Sequence, residues 1–411
     1  MLRILRSTDS AAHALMDRRA TRDHALVRQV TTIVRAVQRE GDRALLRYAR
    51  RLDGLEGPVE VPRDQMQEAA RTVPGDVRRA MATCARHIRR VARAQRPRPS
   101  IVRVAPGVTV EQRVVPLGRV GCYVPGGRYP LPSSLLMTAI PARVAGVGEV
   151  IAVCPRPNAV VMAAAIEAGV TRLLRVGGAH AIAAMAYGTE TVPRVDKIVG
   201  PGNRYVSAAK TLVAADCPID FEAGPTELVW ISDRARPDWI ARDLIAQAEH
   251  DPDARAFFVT TSRPLAQAVA RAVAALAPAT GPAATALALN GAAIVVPTLD
   301  QAIALVNRIA PEHLATDEDA VVARMPAAGT VFVGRFAAPA AGDYVTGSNH
   351  VLPTGGVARF RGGLSVADFV RTMSVQRLSR DGIRRVGTAA IAMAGVEGLA
   401  GHAASIAARL A

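Results

Sequence analysis

The chain has 411 residues, half of them apolar, enough for two or more packed units with buried cores. It has no run of eighteen apolar residues, its first ten residues lack a sustained apolar stretch, and its four cysteines (Cys84, Cys122, Cys154, Cys217) form no CxxC pair. A membrane span, an export signal and a disulfide framework are therefore not expected, and a reducing cytoplasm is. The formal charge of +16 sits mostly at one end, since residues 1–110 hold 23 Arg against 11 Asp plus Glu, so it does not by itself imply a polyanion partner.

Residues 1 to about 100 read as helical. From Ala25 to Arg51 apolar residues recur at Leu26, Val30, Ile33, Val34, Val37, Leu45 and Leu46, with a break at Gly41. A second helical stretch runs from Asp64 to Arg93, broken at Pro74 and Gly75. Arg86, Arg89, Arg90 and Arg93 make one basic face of it, but no aromatic residues interleave for bases to stack on, so a solvated face is expected. The Arg-Pro-Arg-Pro run at 96–99 ends helix.

After Ile101 short Val- and Ile-rich runs alternate with Ala-rich helical stretches. Strands are predicted at 120–124, 150–154, 173–176, 198–199, 227–231, 256–260, 293–296 and 330–333, with helices at 134–145, 159–168, 205–214, 239–250, 264–276 and 299–309. This alternation implies βαβ units and parallel sheets covered on both faces, with too many strands for one modest sheet. From Leu364 to Ala411 the chain reads as helix without strand signals.

Four glycine turns follow strand ends: Pro125-Gly126-Gly127, Gly177-Gly178-Ala179, Gly200-Pro201-Gly202-Asn203 and Gly224-Pro225-Thr226. Such turns suit phosphates, yet no intact GxGxxG follows a strand and no acid stands at the ribose-binding distance, so the pattern leaves a nucleotide site open and argues against an ordinary dinucleotide fold. The helix at 239–250, with Trp239, Leu244 and Ile245 as its expected buried positions, places Gln247 and His250 on one face of its last turn before Pro252 ends it. An amide oxygen and an imidazole there supply half of a divalent metal's shell, or form a polar helix end with His at the negative end of the dipole. Glu312-His313 follows Pro311, and because neighbours point apart on a helix, both serve one substrate only if the backbone there is irregular. Gly342-Asp343-Tyr344 opens a glycine-rich loop, and Glu397 and His402 lie five apart in the tail.

Together and in this order these segments resemble the histidinol dehydrogenase family. The resemblance is carried by Gly121-Cys-Tyr-Val-Pro-Gly-Gly127 with Pro132-Ser-Ser, Ala139-Ile-Pro-Ala-Arg-Val-Ala-Gly146, Gly200-Pro-Gly-Asn203, Ala223-Gly-Pro-Thr-Glu227, Gln247-Ala-Glu-His-Asp-Pro-Asp253, Ile309-Ala-Pro-Glu-His-Leu314, Gly342-Asp-Tyr344, Asn349-His-Val-Leu-Pro-Thr354 and Glu397-Gly-Leu399. It implies oxidation of L-histidinol through L-histidinal to L-histidine, the last step of histidine biosynthesis, with two NAD and one zinc per subunit. It implies a cytoplasmic homodimer in which the C-terminal tail completes the partner's site, with no membrane or nucleic-acid partner. Carried over by position, the zinc ligands are Gln247, His250, Asp343 and His402, and the acid/base pair is Glu312 and His313. Thr226 and Glu397 are substrate contacts, joined by Gln247, His250, His313, Asp343 and His402, while Tyr123, His180 and Asn203 are the NAD positions. Two positions depart from the family pattern: His180 stands where Gln is usual, and Thr226, which keeps the hydroxyl, stands where Ser is common.

The alternation and the resemblance together lead us to expect an α/β fold of two incomplete Rossmann-like parallel-sheet domains with a helical N-terminal segment and a helical C-terminal tail. The expected division is an arm at 1–17, a first domain of 18–121 with 227–363 that carries the metal and acid/base residues, a second domain at 122–226 on the NAD side, and a tail at 364–411. The chemistry asks for such groups: an imidazole takes the hydroxyl proton, and a carboxylate draws a proton from the water that adds to the aldehyde. Two competing readings are a zinc and NAD dehydrogenase of another hydroxyl compound such as a sulfonated diol, which the Glu397 carboxylate would repel, and a non-catalytic polyanion binder built on the basic N-terminal segment.

Overall fold

The computed structural model describes residues 2–17, 23–126, 131–222, 224–325 and 327–411. Gly127 and Ala223, each within a motif quoted above, lie outside the described residues, as do 18–22 at the start of the expected first domain. The strands in chain order are β1 (Arg3–Arg6), β2 (Ser100–Ala105), β3 (Val108–Pro116), β4 (Arg119–Tyr123), β5 (Glu149–Val153), β6 (Arg172–Leu174), β7 (Lys197–Val199), β8 (Glu227–Ile231), β9 (Arg255–Thr260), β10 (Gly291–Val295), β11 (His313–Thr316), β12 (Thr330–Val333) and β13 (Val370–Leu378).

They form two parallel sheets and one antiparallel sheet. The first parallel sheet has the order β1-β10-β9-β8-β11-β12 and the second β6-β5-β4-β7. Both are buried on two faces, and the period-two alternation of a strand decides which residue meets which helical layer. Along β9, Ala256 and Phe258 pack with helices Pro237–Ala248, Arg263–Leu276 and Pro282–Asn290, while Phe257 and Val259 pack with Leu299–Ile309 and the N-terminal helix Ser10–Met16. Along β5, Val150 and Ala152 face helices Pro132–Ala145 and Ala159–Ala168, whereas Ile151 and Val153 face Gly178–Tyr187 and Arg204–Val213. The N-terminal helices complete this second sandwich: His24–Glu40 and Asp42–Tyr48 join the Ile151 face, and Arg63–Thr72 and Gly75–Ala94 join the Val150 face. Residues grouped in the expected division with 227–363 are thus packed on the sheet of 122–226.

Several local expectations change. Residues 1–100 are not helical throughout, because β1 pairs with β10 at the edge of the six-stranded sheet. The tail is not strandless either: β13 pairs antiparallel with β3, and β3 with β2. This third sheet is solvated along most of its length, so no buried face imposes an alternating pattern on its sequence. Trp239 is half-buried instead of core, while Leu244 and Ile245 are buried. The helix carrying Gln247 stops at Ala248, leaving His250 just beyond its last turn. The basic face of Gly75–Ala94 is partly neutralised, with Arg89 bound to Glu167 at 2.8 Å.

Candidate active site

Two pairs of neighbouring polar residues meet because of strand register. Thr226 and Glu227 stand where β8 begins, Glu312 and His313 where β11 begins, and the strands are parallel neighbours with His313 opposite Leu228. The helix Leu299–Ile309 ends at Ala310, whose φ of 49° is the positive value of a left-handed residue. That turn is the backbone irregularity the adjacent pair requires, and it delivers Glu312 and His313 to one cleft.

Glu312 is buried. Its Oε2 accepts from the Thr226 hydroxyl (2.5 Å) and the Glu227 N–H (2.9 Å) and lies 3.6 Å from His313 Nδ1. Burial works to raise its carboxyl, but the His313 charge and these donors outweigh burial and hold it below the ordinary range. For His313 burial works downward, and the Glu312 charge, then Asp343, outweighs it and holds the imidazole above its usual value. His313 Nε2 lies 3.9 Å from Asp343 Oδ1.

Gln247, in the last turn of Pro237–Ala248, donates through its amide nitrogen to Thr226 Oγ1, which in turn donates to Glu312. The Gln247 amide oxygen is left over. His250 is exposed, with Nδ1 3.3 Å from the Gln247 carbonyl. A proton on Nδ1 keeps that bond and leaves Nε2 as a lone pair toward solvent. Of the expected zinc ligands, His250 and Asp343 line the cleft and Gln247 bonds Thr226 beside it, and among the described residues no three His, Cys, Asp or Glu side chains converge as a metal site. Glu397 and His402 are not brought to this cleft. They lie exposed around helices Arg380–Val396 and Ala400–Ala407, the second of which buries no residue.

The cleft, about 290 Å³, is walled on its other side by the second sheet, through Pro125 after β4 and Gly200–Gly202 after β7. The order β6-β5-β4-β7 reverses direction between β4 and β7, the crevice where open α/β sheets receive ligands. The expected NAD residues lie along this carboxyl edge, but only Asn203 is exposed; Tyr123 and His180 are buried. Tyr123 ends β4, and its hydroxyl accepts from the Gly178 N–H at 3.1 Å. Asn203 caps helix Arg204–Val213, accepting from Tyr205 N at 3.0 Å and Val206 N at 3.2 Å. His180 is 1% exposed, turned inward with Nε2 2.8 Å from Asp53 and its ring stacked on Tyr48, while Nδ1 has no hydrogen-bond partner.

Two features escaped the sequence reading. Lys210, three-quarters along the Arg204–Val213 helix, reaches back to pair with Asp220 and to donate to the Gly200 carbonyl (2.9 Å), while Asp220 Oδ2 accepts from the Gly200 N–H (2.8 Å). One of only two lysines, seven residues after an Asn cap, was the available signal. His350, in the quoted Asn349-His350 motif, lines the cleft and binds the Asp343 carbonyl at 2.9 Å.

Proton-handling groups on one sheet, facing glycine turns on another, put the protein in the class of two-sheet α/β dehydrogenases. Similarity narrows that class. The family model described as histidinol dehydrogenase matches residues 16–410. A histidinol dehydrogenase of Methylococcus capsulatus is 45% identical over 398 residues, 93% of this chain and 91% of that one, and one of Rhizobium meliloti is 45% identical over 417 residues, 98% and 95%. The crystal structure of histidinol dehydrogenase from Elizabethkingia anophelis superposes with a TM-score of 0.94 at 32% identity, covering 100% of this chain and 98% of that one. The chain belongs to the histidinol dehydrogenase family.

Proposed function

We propose that the protein oxidises L-histidinol to L-histidine through L-histidinal, with two NAD and one zinc ion per subunit, in the cytoplasm. The observation that carries this reading is the meeting of Thr226, Glu312 and His313 at adjoining strand ends with Asp343, which caps helix Pro339–Gly342, opposite the Gly200–Gly202 turn. His313 takes the hydroxyl proton as hydride leaves the alcohol carbon, and Glu312, held in place by Thr226 and the Glu227 N–H, takes a proton from the water that adds to the aldehyde. NAD, when bound, would accept the hydride of each oxidation; residues 122–226 would form its side of the cleft, with Tyr123, His180 and Asn203 as proposed contacts, of which only Asn203 is exposed in the single chain. The zinc would be held by Gln247, His250 and Asp343, and its chemistry there would be to orient the substrate.

One chain's donor set is short of a closed shell, which supports a homodimer in which His402 of one tail completes the metal site of the partner and Glu397 meets the substrate amine. The tail's exposed apolar residues, Val396 (86% exposed) and Met393 (59%), are consistent with such docking. No helix among the described residues is long and apolar enough to cross a membrane. The test is NADH formation with L-histidinol, with and without a chelator. Two NADH per histidine formed, lost on chelation and regained with zinc, is the expected result; turnover of a sulfonated diol with none of histidinol would replace this reading with its neighbour.

A further inference from the structure

The candidate catalytic groups stand at the amino ends of β8 and β11. The opposite, carboxyl ends of these strands hold a second cavity, of about 790 Å³. The sheet order β1-β10-β9-β8-β11-β12 shows why a cavity forms there: from β8 the chain builds outward through β9 and β10, then returns to place β11 on the other side of β8. Connections leaving β8 and β11 therefore diverge, and the crevice between them is where open parallel sheets bind ligands. The proposed chemistry leaves it unused. Helix Pro237–Ala248 runs between the two ends, with Trp239 near one terminus and Gln247 near the other, roughly 12 Å apart at 1.5 Å per residue.

The lining has the chemistry of a small planar anion's site. Trp239 and Phe336 lie with ring centroids 5.9 Å apart, and Phe336 is 80% exposed at the rim. Four arginines surround the rings, two of them already paired: Arg234 with Asp317 and Glu318, and Arg236 with Asp238. Arg242 and Arg335 have no salt-bridge partner among the described residues; Arg335 lies over both aromatic rings, 6.0 Å from the Trp239 centroid and 4.8 Å from that of Phe336. Guanidinium groups on the ring faces repel a cation and favour a flat ligand bearing negative charge. Of the two cavity acids, Asp243 accepts from Trp230 Nε1 at 2.9 Å, and Asp317, nine-tenths buried, has one oxygen, Oδ1, without a hydrogen-bond partner. An unmatched acceptor beside a ring slot and two unpaired guanidiniums asks for a ligand with a ring, a hydroxyl or amine donor and an anion.

We propose that this crevice binds a purine mononucleotide, its base against Trp239 and Phe336, a hydroxyl toward Asp317 and its phosphate on Arg242 and Arg335. The site is separate from the catalytic cleft, so the proposal stands or falls apart from the reaction assigned above.

The chain carries only two tryptophans, Trp230 and Trp239, and both line this cavity, so indole emission reports on it alone. The full chain is titrated with AMP, with adenosine and inorganic phosphate as half-ligands and benzoate as a plain aromatic anion. Saturable quenching by AMP is expected, at least about tenfold tighter than by either half-ligand or by benzoate. The double variant Arg242→Ala with Arg335→Ala should weaken AMP about tenfold or more while its melting temperature is unchanged, and Phe336→Ala, at an exposed rim position, should weaken it independently. Absence of saturable quenching, AMP binding indifferent to these variants, or benzoate binding as tightly as AMP would overturn the proposal.

Discussion

Glu312 and His313 are chain neighbours with different surroundings, and the proposed mechanism gives them different work. Glu312 is gripped by Thr226 and the Glu227 N–H, whereas His313 lies between Glu312 and Asp343 at the cleft. If Glu312 activates water only for the second oxidation, Glu312→Gln still yields a first NADH equivalent in stopped-flow absorbance, while histidine in the quenched mixture falls by roughly 10² to 10⁴. His313→Asn should slow both equivalents. Equal slowing of the two in Glu312→Gln would show that the carboxylate acts in both steps or in neither. A second residue carries a pH signature of its own: burial pushes Asp243 up to about 6, against the pull of its bond from Trp230. The native state then holds a proton that the unfolded chain releases between about pH 4 and 6, so this group's contribution to stability is full below the unfolded value and lost as pH rises through about 6. Asp243→Asn keeps an acceptor for Trp230 and removes the charge. Its melting temperature should gain on the wild type between pH 5 and pH 8, by the equivalent of about 1–2 kcal/mol after allowing for solvent screening; a constant difference across that range would contradict the burial argument.

At the scale of elements, the Gly200 turn is the piece most sensitive to one added carbon. Its φ of 115° is open to glycine alone, and a Cβ there would strike the Tyr123 carbonyl. Gly200→Ala should cost on the order of 2 kcal/mol in stability and, if the turn walls the proposed NAD side, raise the KM for NAD more than that for histidinol. Equal changes in both KM values would place the turn's role elsewhere. Several elements were legible in sequence, Glu227–Ile231 and Thr330–Val333 as short apolar runs and Leu299–Ile309 by its one-sided apolar spacing, and all three fall where expected, to the residue. Helix Gly178–Tyr187 was not, because eight of its ten residues are buried and no polar face marks a 3.6-residue period. Strand β11, His313-Leu-Ala-Thr316, was not either, because it lacks the Val- and Ile-rich run that marks the other strands. The candidate site was legible only as motifs in order. That Thr226 meets Glu312 depends on the pairing of β8 with β11, a long-range fact that local pattern does not contain.

For the whole molecule, the central expectation is that two chains share each site. Zinc-loaded His250→Ala and His402→Ala proteins should each be inactive. After subunit exchange in equal amounts they should recover about a quarter of the wild-type sites, since half of the dimers are mixed and each mixed dimer has one intact site. No recovery once exchange is verified by mass spectrometry of mixed dimers would mean that each tail serves its own chain. The tail's helices and its exposed Val396 agree with an arm that leaves the body, but its strand was invisible in sequence because both faces of the third sheet meet solvent in the single chain.

That same sheet has a consequence for how the protein is made. β3 pairs with β13 from Val108–Leu378 to Pro116–Val370, so the ladder joins segments some 250 residues apart. On a ribosome adding roughly 5–20 residues per second, β3 emerges about 10–50 s before its partner strand exists. Throughout that interval the β2–β3 hairpin waits with its β3 edge open as well as its β2 edge, and with Ile101, Val102 and Val104 in solvent. Glu111 and Arg113, bonded to each other on β3, place charge in the middle of that open strand, where it discourages a neighbouring nascent chain from adding itself before β13 arrives.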